Sequence, residues 1–313
     1  MAESLSKGVT GVPNGNSKGW IGHVACFTAY LIFGLNIVVC KNLTQSGIFS
    51  PLAIFQFRAI GASVLFWIIS MFTPREKVDA KDFPKIFVAS MLGLFLTQVS
   101  FLFGIRMVTP LDWAILSVLS PIFTMFTAAI VVKEPITWKK AGGVAISFIG
   151  ITVLILSSSH SGGAATTSVW GVLLGLLNAG SFALYLGIFR PLIKKYSVVT
   201  FMKWMFLFSL AVSFPFSCSE LLAADYSAVT GRYLYELLFL IIFSTVIAYY
   251  LIPLGQKYIR PTAVSLYSYL QPIIASMISI YLGMDRLTVL KVAAAVAVVA
   301  GVVLVNKSRA ASS

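Results

Sequence analysis

Charge is scarce in this chain, negative charge above all. Of its 313 residues only 23 are Lys or Arg, ten are Asp or Glu, and two are His, whereas soluble domains give about a quarter of their residues to charge. The two histidines, His23 and His160, and most of the acids fall near the ends of apolar runs. Phosphate-loop, zinc-protease and nucleophile-elbow patterns are all absent. An enzyme is therefore not expected, and neither is a resident metal or cofactor. Three cysteines, Cys26, Cys40 and Cys218, cannot build a paired framework. Cys26 and Cys40 lie on one helix about four turns apart, too far to bridge. Three buried small hydrophobes are expected, with a Cys40–Cys218 bridge as the alternative. No cleavable leader is expected either, because residues 1–19 are polar and the first apolar run has full spanning length.

Hydrocarbon takes the place of charge. Apolar residues fill 58% of positions and the mean hydropathy is +0.93. One water-soluble core of this length could not hide so much apolar surface, so lipid must serve as solvent. The net charge of +13 does not imply nucleic acid, because the bases sit in short loops rather than on a polar stripe.

A spanning helix needs about 20 apolar residues. Ten segments qualify, at 20–40, 52–72, 84–104, 111–132, 138–156, 169–189, 201–221, 233–253, 262–282 and 287–305. Lipid offers no partner to an open strand edge, so the class is all-α membrane protein with ten transmembrane helices. If both termini lie inside, 17 of the 23 basic residues collect on the inner side. Five fall outside (Lys41, Arg106, Arg232, Arg286 and Lys291), and Arg58 remains within a helix. That bias predicts cytoplasmic termini at a plasma membrane of bacterial type.

A shift of 151 residues superposes 104–154 on 255–305 without a gap, pairing Pro110 with Pro261, Ser117 with Ser268, Pro121 with Pro272 and Gly150 with Gly301. Glu134 meets Asp285 in the same register. Five helices per copy is an odd number, so the second copy enters the bilayer inverted. Two inverted halves give a carrier two quasi-equivalent states, open to either side.

The run SPIFTMFTAAIVVKEPITWKKAGGVAISFIGITVLIL and its later counterpart QPIIASMISIYLGMDRLTVLKVAAAVAVVAGVVLV resemble the fourth-and-fifth-helix signature of the EamA family in the drug/metabolite transporter superfamily. Pro121, Pro272, Glu134, Asp285, Gly150, Gly301 and Arg58 fit that pattern; Pro135 and Ala293 depart from it. The resemblance implies a metabolite transporter, often an exporter. It divides the chain into a polar tail (1–19), a first EamA-like repeat (20–156), a polar outer linker (157–168), a second repeat (169–305) and a short tail (306–313). The other readings are a non-transporting membrane scaffold or sensor, and a lipid flippase.

Within this frame certain residues stand out. Pro121 and Pro272 near mid-membrane each remove a helix bond, so they are candidate hinges or else kinks repaired by neighbours. Arg58 is an intramembrane charge and so a candidate for binding an organic anion; a snorkelling structural role is its alternative. Tyr30, Asn36, Gln98, Ser117, Ser120, Asn178, Tyr185, Thr245, Tyr249, Ser268 and Gln271, with Trp113 nearer the outer surface, need polar partners inside hydrocarbon. Together they are expected to line a wet cavity, though any one of them serves equally as an interhelical hydrogen bond. No carboxylate is expected at mid-depth, which favours facilitated diffusion or exchange over proton or sodium coupling. Arg58 and the tyrosines favour amino acids, especially bulky ones, as substrate. Glu134 and Asp285 are expected at helix starts. Small-residue faces at Gly143/Ser147/Gly150, at Ala293/Ala297/Gly301 and at Gly171/Gly175 allow close helix packing; monomer and homodimer both stay open.

Overall fold

In a computed structural model, residues 19–132, 137–160, 167–284 and 286–310 are described, and all regular structure among them is helical. The helices are α1 (Gly19–Gln45), α2 (Pro51–Met71), α3 (Ala80–Arg106), α4 (Pro110–Ser117), α5 (Ser120–Val132), α6 (Trp138–His160) and α7 (Val169–Ile188). Then follow a short α8 (Arg190–Lys195), α9 (Val198–Leu222), α10 (Gly231–Tyr258), α11 (Pro261–Leu266), α12 (Leu270–Tyr281) and α13 (Val289–Ala310). Glu134, Pro135 and Asp285 lie outside the described residues, so the expected acidic helix starts are not seen.

Local chemistry explains where the helices begin. Ser50, Thr109, Ser168 and Ser197 stand at N-caps in extended conformation and accept from the backbone N–H groups of Ala53, Asp112, Trp170 and Thr200. Such caps satisfy donors that the first turn leaves without partners. Pro51, Pro110 and Pro261 occupy the first helical position, where a missing N–H costs nothing. Beyond α12, Gly283 takes φ +68, and the Met284 N–H reaches back to the Ser279 carbonyl at 2.8 Å, closing the helix with a left-handed residue.

Among the described residues, eight helical stretches are long and apolar enough to cross a membrane. Two shorter apolar stretches, Ala141–Val153 and Val289–Leu304, lie within α6 and α13. A run of large apolar side chains, among them Val64, Ile68, Leu173, Leu177, Ile242 and Val296, faces outward, as lipid-facing surfaces require.

Two irregularities occur at matching places under the 151-residue shift. The path from α4 into α5 breaks at residues 118–119, and that from α11 into α12 passes through a 3-10 turn at Tyr267–Tyr269. Pro121 and Pro272 follow each break. A proline ring collides with the carbonyl four residues back, here Ser117 and Ser268; the Ser117 carbonyl instead accepts the Ser120 hydroxyl at 2.9 Å. The second irregularity is a π turn inside each long third helix, Met91–Leu96 in α3 and Leu240–Ile247 in α10. No residue type in the sequence announced it.

Three apolar clusters hold the bundle. One gathers around Tyr30, Phe66, Tyr185, Phe201, Phe206 and Tyr249, the second around Ile37, Phe55, Phe101, Trp113 and Leu237. The third joins Leu116, Ile122 and Met125 to Ala294, Val298 and Val302 of α13. Between α6 and α13 the backbones nearly touch: a Cβ on Gly301 would collide with the Gly143 carbonyl and the Ser147 hydroxyl, and one on Gly150 would sit 2.9 Å from the Ala294 carbonyl. The small-residue faces of these two helices thus pack on each other. Cys26 and Cys40 are buried and unbridged, whereas Cys218 is only half-buried, so two of the three cysteines behave as core hydrophobes.

Two basic residues expected on the outer side are buried. Helix α1 runs past Cys40 to Gln45, which carries Lys41 inside at 5% exposure. Its ammonium donates to the carbonyls of Ile105, Arg106 and Val108 at 3.0, 3.2 and 2.7 Å, neutralising the negative end of α3. Lys291 on α13, at 6% exposure, bonds Asp112 at 3.1 Å and the Thr109 hydroxyl at 3.2 Å. The Thr167 hydroxyl also donates to Asp112.

Candidate functional site

Where the first two clusters meet, a cavity of about 590 Å³, counting the space open to solvent, lies among eight helices. Helix α1 contributes Tyr30, Phe33, Asn36 and Ile37, and α2 contributes Arg58. From α3 come Thr97, Gln98 and Phe101, and from the broken α4–α5 region Trp113, Ser117 and Ser120. Asn178 and Phe182 project from α7, Tyr249 from α10 and Gln271 from α12. Both repeats therefore build its wall, and Gln98 and Tyr249, equivalent under the shift, face each other's half. No carboxylate stands among these lining residues.

Ten of the thirteen sequence-selected polar and aromatic candidates line this space. Three do not. Tyr185 is buried against α3, its ring lying 2.6 Å from where a Cβ on Gly93 would stand. Ser268 is buried in the 3-10 turn before α12. Thr245 lies behind Arg58 and touches it. Five lining residues escaped sequence reading: Phe33, Ile37, Thr97, Phe101 and Phe182. Phe33, Phe101 and Phe182 follow Tyr30, Gln98 and Asn178 by three or four residues, so helical spacing from the polar candidates could have found them. Ile37 carries no such signal.

Arg58 is the centre of the electrostatics. Its side chain is 2% exposed, its Nε donates to the Thr245 hydroxyl at 2.8 Å, and an Nη1 lies 3.9 Å from the Cys40 sulfur. Among the described residues no carboxylate comes within ion-pair distance of it. A guanidinium carries five N–H donors, of which these two contacts engage two, and Arg58 is one of the residues that line the cavity. Gln98 Oε1 and the Tyr30 hydroxyl are likewise buried without a hydrogen-bond partner in the chain. Aromatic rings supply the remaining wall: Phe33 meets Tyr30 and Tyr249 edge-on at 5.7 Å each, and Phe101 meets Trp113 at 5.2 Å. The arrangement offers one cation, neutral amide acceptors and π faces, which suits a molecule with a carboxylate, a polar or cationic group and apolar bulk.

The described acids occupy the two ends of the bundle. At the end formed by the α1–α2 and α3–α4 turns, Asp112 is fully buried in its pair with Lys291, next to the cavity residue Trp113. Glu236 is held by Asn42 at 2.6 Å and Arg232 at 3.1 Å. The sequence placed these carboxylates at helix ends but not in such enclosure. At the opposite end Lys195 bridges Asp79 and Asp82, and those hydrogen bonds push its ammonium above the ordinary lysine value. Partial burial raises Glu76, but the Ser197 N–H at 2.9 Å, the Ser197 and Thr200 hydroxyls and Lys257 outweigh it, leaving the carboxyl below its usual range. A second recess, about 1040 Å³ counting the space open to solvent, lies here, bordered by Arg75, Glu76, Ser197, Tyr250, Lys257 and Tyr258.

The sequence matches the EamA-like transporter family over residues 20–156 and again over 169–307. The chain belongs to that family. Among similar proteins, an uncharacterised transporter of Archaeoglobus fulgidus is 26% identical over 83% of this chain and 90% of its own length. The transporter YyaM of Bacillus subtilis, also uncharacterised, is 26% identical over 90% of this chain and 93% of its own. A probable terminal-alkyne amino-acid exporter of Streptantibioticus cattleyicolor is 28% identical over 38% of each chain. A crystal structure aligns over 92% of this chain and 96% of its own with a TM-score of 0.63 at 16% identity, a likeness of fold. This EamA-like chain is thus a multi-pass membrane transporter whose two repeats share one internal cavity.

Proposed function

We propose that this transporter moves an amino-acid-like metabolite, by export or exchange, through alternating access of two inverted five-helix halves. On this reading α6 and α13 complete a set of ten spans, both termini are cytoplasmic, and the Lys291 end of the bundle faces outward. The observation that carries the substrate class is Arg58: a desolvated guanidinium on the cavity wall, with no carboxylate from the described chain to neutralise it. An uncompensated charge in hydrocarbon is costly, and a substrate carboxylate would relieve that cost with two parallel hydrogen bonds. Gln98, Asn36 and the aromatic rings would take an α-ammonium without a full counter-charge. Two relatives accord with this: the amino-acid exporter above, and an S-adenosylmethionine/S-adenosylhomocysteine transporter of Chlamydia muridarum, 23% identical over 50% of this chain. Both names denote molecules bearing an amino-acid end.

The helix breaks at Pro121 and Pro272 act as the hinges, one in each half. Closing the outer side brings Asp112 and Lys291 together, and the exposed Lys195–Asp79 link guards the inner side. With no carboxylate on the described cavity wall, the driving force is the substrate's own gradient or that of a counter-substrate.

The test is counterflow in proteoliposomes. Vesicles preloaded with unlabelled L-phenylalanine, L-methionine or S-adenosylmethionine should accumulate the labelled compound, while phenethylamine, which lacks the carboxylate, should move at least tenfold more slowly. Arg58→Gln should abolish that preference. Transport of labelled lipid alone would identify a flippase, and no flux of lipid or solute would leave a scaffold or sensor.

A further inference from the structure

The sequence offers no reason for Thr245 to matter beyond its polarity, yet it sits fully buried inside the π turn Leu240–Ile247 of α10. Its hydroxyl donates to the Leu240 carbonyl, five residues back, at 2.7 Å, and accepts the Nε–H of Arg58 at 2.8 Å. A hydroxyl has a single proton. With that proton committed to Leu240, the oxygen can only accept, and its lone pair is aimed at α2. An α-helical turn would give the Leu240 carbonyl to the N–H four residues on; the wider π turn bends the backbone and presents this carbonyl to the side chain five residues on.

The other long helix repeats the device. In the π turn Met91–Leu96 of α3, the hydroxyl of Thr97 donates to the Leu92 carbonyl, again five back, at 2.6 Å, and meets the Ser181 hydroxyl at 3.1 Å. The carbonyl of Thr97 accepts the cavity residue Asn178 at 2.7 Å. One threonine-closed π turn in each half thus fixes one polar wall residue from a neighbouring helix: Arg58 in one case, Asn178 in the other.

We infer that Thr245 is a positioning residue for anion recognition. Held at Nε by Thr245 and with Nη1 3.9 Å from the Cys40 sulfur, the Arg58 guanidinium keeps one orientation on the cavity wall, its remaining N–H donors available to a carboxylate. The inference rests on the amino-acid reading of the cavity only for the identity of the anion. A planar fork held in one orientation loses little freedom on binding. Without the threonine acceptor, Nε is left without a partner and the fork must find its pose anew for each substrate.

The experiment compares Thr245→Val, which keeps shape and removes the acceptor, with Thr245→Ser, which keeps the acceptor. In proteoliposomes, Thr245→Val should raise KM for L-phenylalanine about tenfold with maximal rate within about twofold, as expected when a charged hydrogen-bond geometry is lost, and Thr245→Ser should restore the wild-type KM. A second readout does not depend on transport. In the full chain in nanodiscs labelled with 15N at arginine Nε, the Arg58 signal, assigned by its loss in Arg58→Gln, should exchange with water slowly in wild type and Thr245→Ser, and fast in Thr245→Val. If wild type moves none of the amino acids while the exchange pattern holds, the substrate reading falls and the positioning role stands. An Arg58 signal unchanged in Thr245→Val, or a Thr245→Val protein with wild-type KM, overturns the inference.

Discussion

The buried pair between Asp112 and Lys291 offers the sharpest quantitative test. Its oxygen–nitrogen distance is 3.1 Å, with side-chain exposures of 0% and 7%. Coulomb attraction at that separation is worth about 5 kcal/mol at an effective dielectric of about 20. Desolvation of both ions offsets most of this, so the pair itself adds little net stability. Removing one partner is different, because a buried ion then loses this counter-charge, at about 3–5 kcal/mol. The Thr167 hydroxyl still donates to the surviving Asp112 carboxylate, which places Lys291→Met at the lower end, about 3 kcal/mol. Adding Asp112→Asn removes the remaining buried charge and should bring stability back to within about 1 kcal/mol of wild type. Reversible unfolding in mixed micelles, followed by tryptophan fluorescence, reads these differences. The same variants should label faster at Ser117→Cys with an impermeant maleimide if the pair closes the outer side as proposed. Lys291→Met as stable as the wild type, or a double variant less stable than the single, would refute the reasoning.

Three further outcomes follow from the same geometry. Pro121→Ala restores the N–H aimed at Ser117 and should straighten the α4–α5 break, slowing turnover several-fold with little change in KM; full-rate exchange would remove Pro121 as a hinge. Gly301→Leu forces a side chain into the Gly143 carbonyl and Ser147 and should cost about 1–3 kcal/mol, against a few tenths for a swap on the lipid face, read in the same micelle unfolding. Glu76 is held below its ordinary range, so its link to Ser197 contributes stability above the unfolded glutamate value of about 4.3 and loses it as pH falls through the lower folded value. Melting temperature should drop on acidification in wild type, and Glu76→Gln should flatten that slope while lowering stability at neutral pH.

Much of this protein can be read along one dimension because a bilayer imposes one-dimensional rules. Hydrocarbon thickness sets the length of an apolar run, and an unsatisfied backbone dictates helix. Membership of the EamA family was legible in the proline, acid and glycine positions of the fourth and fifth helices, and the same prolines marked both helix breaks. Ten of the thirteen polar and aromatic candidates line one cavity because amides and phenols in hydrocarbon are driven to the interior. The same rule cannot say which interior surface they face, and so Tyr185, Thr245 and Ser268 went to helix contacts instead.

Enclosure and partnership belong to the tertiary structure alone. Lys41 and Lys291 read as outer-side charges because each stands near the edge of an apolar run; the fold buries them by bringing helix-end carbonyls or Asp112 from a distant segment to meet each ammonium. The π turns left no trace in composition, since a single extra residue in a helix changes hydrogen-bond register without changing what the residues are. Sequence therefore determined that this chain lives in a membrane, comes in two copies and carries one costly internal charge. Where that charge points was decided only when α10 was laid against α2, because direction depends on contacts between residues 187 positions apart, which no local pattern encodes.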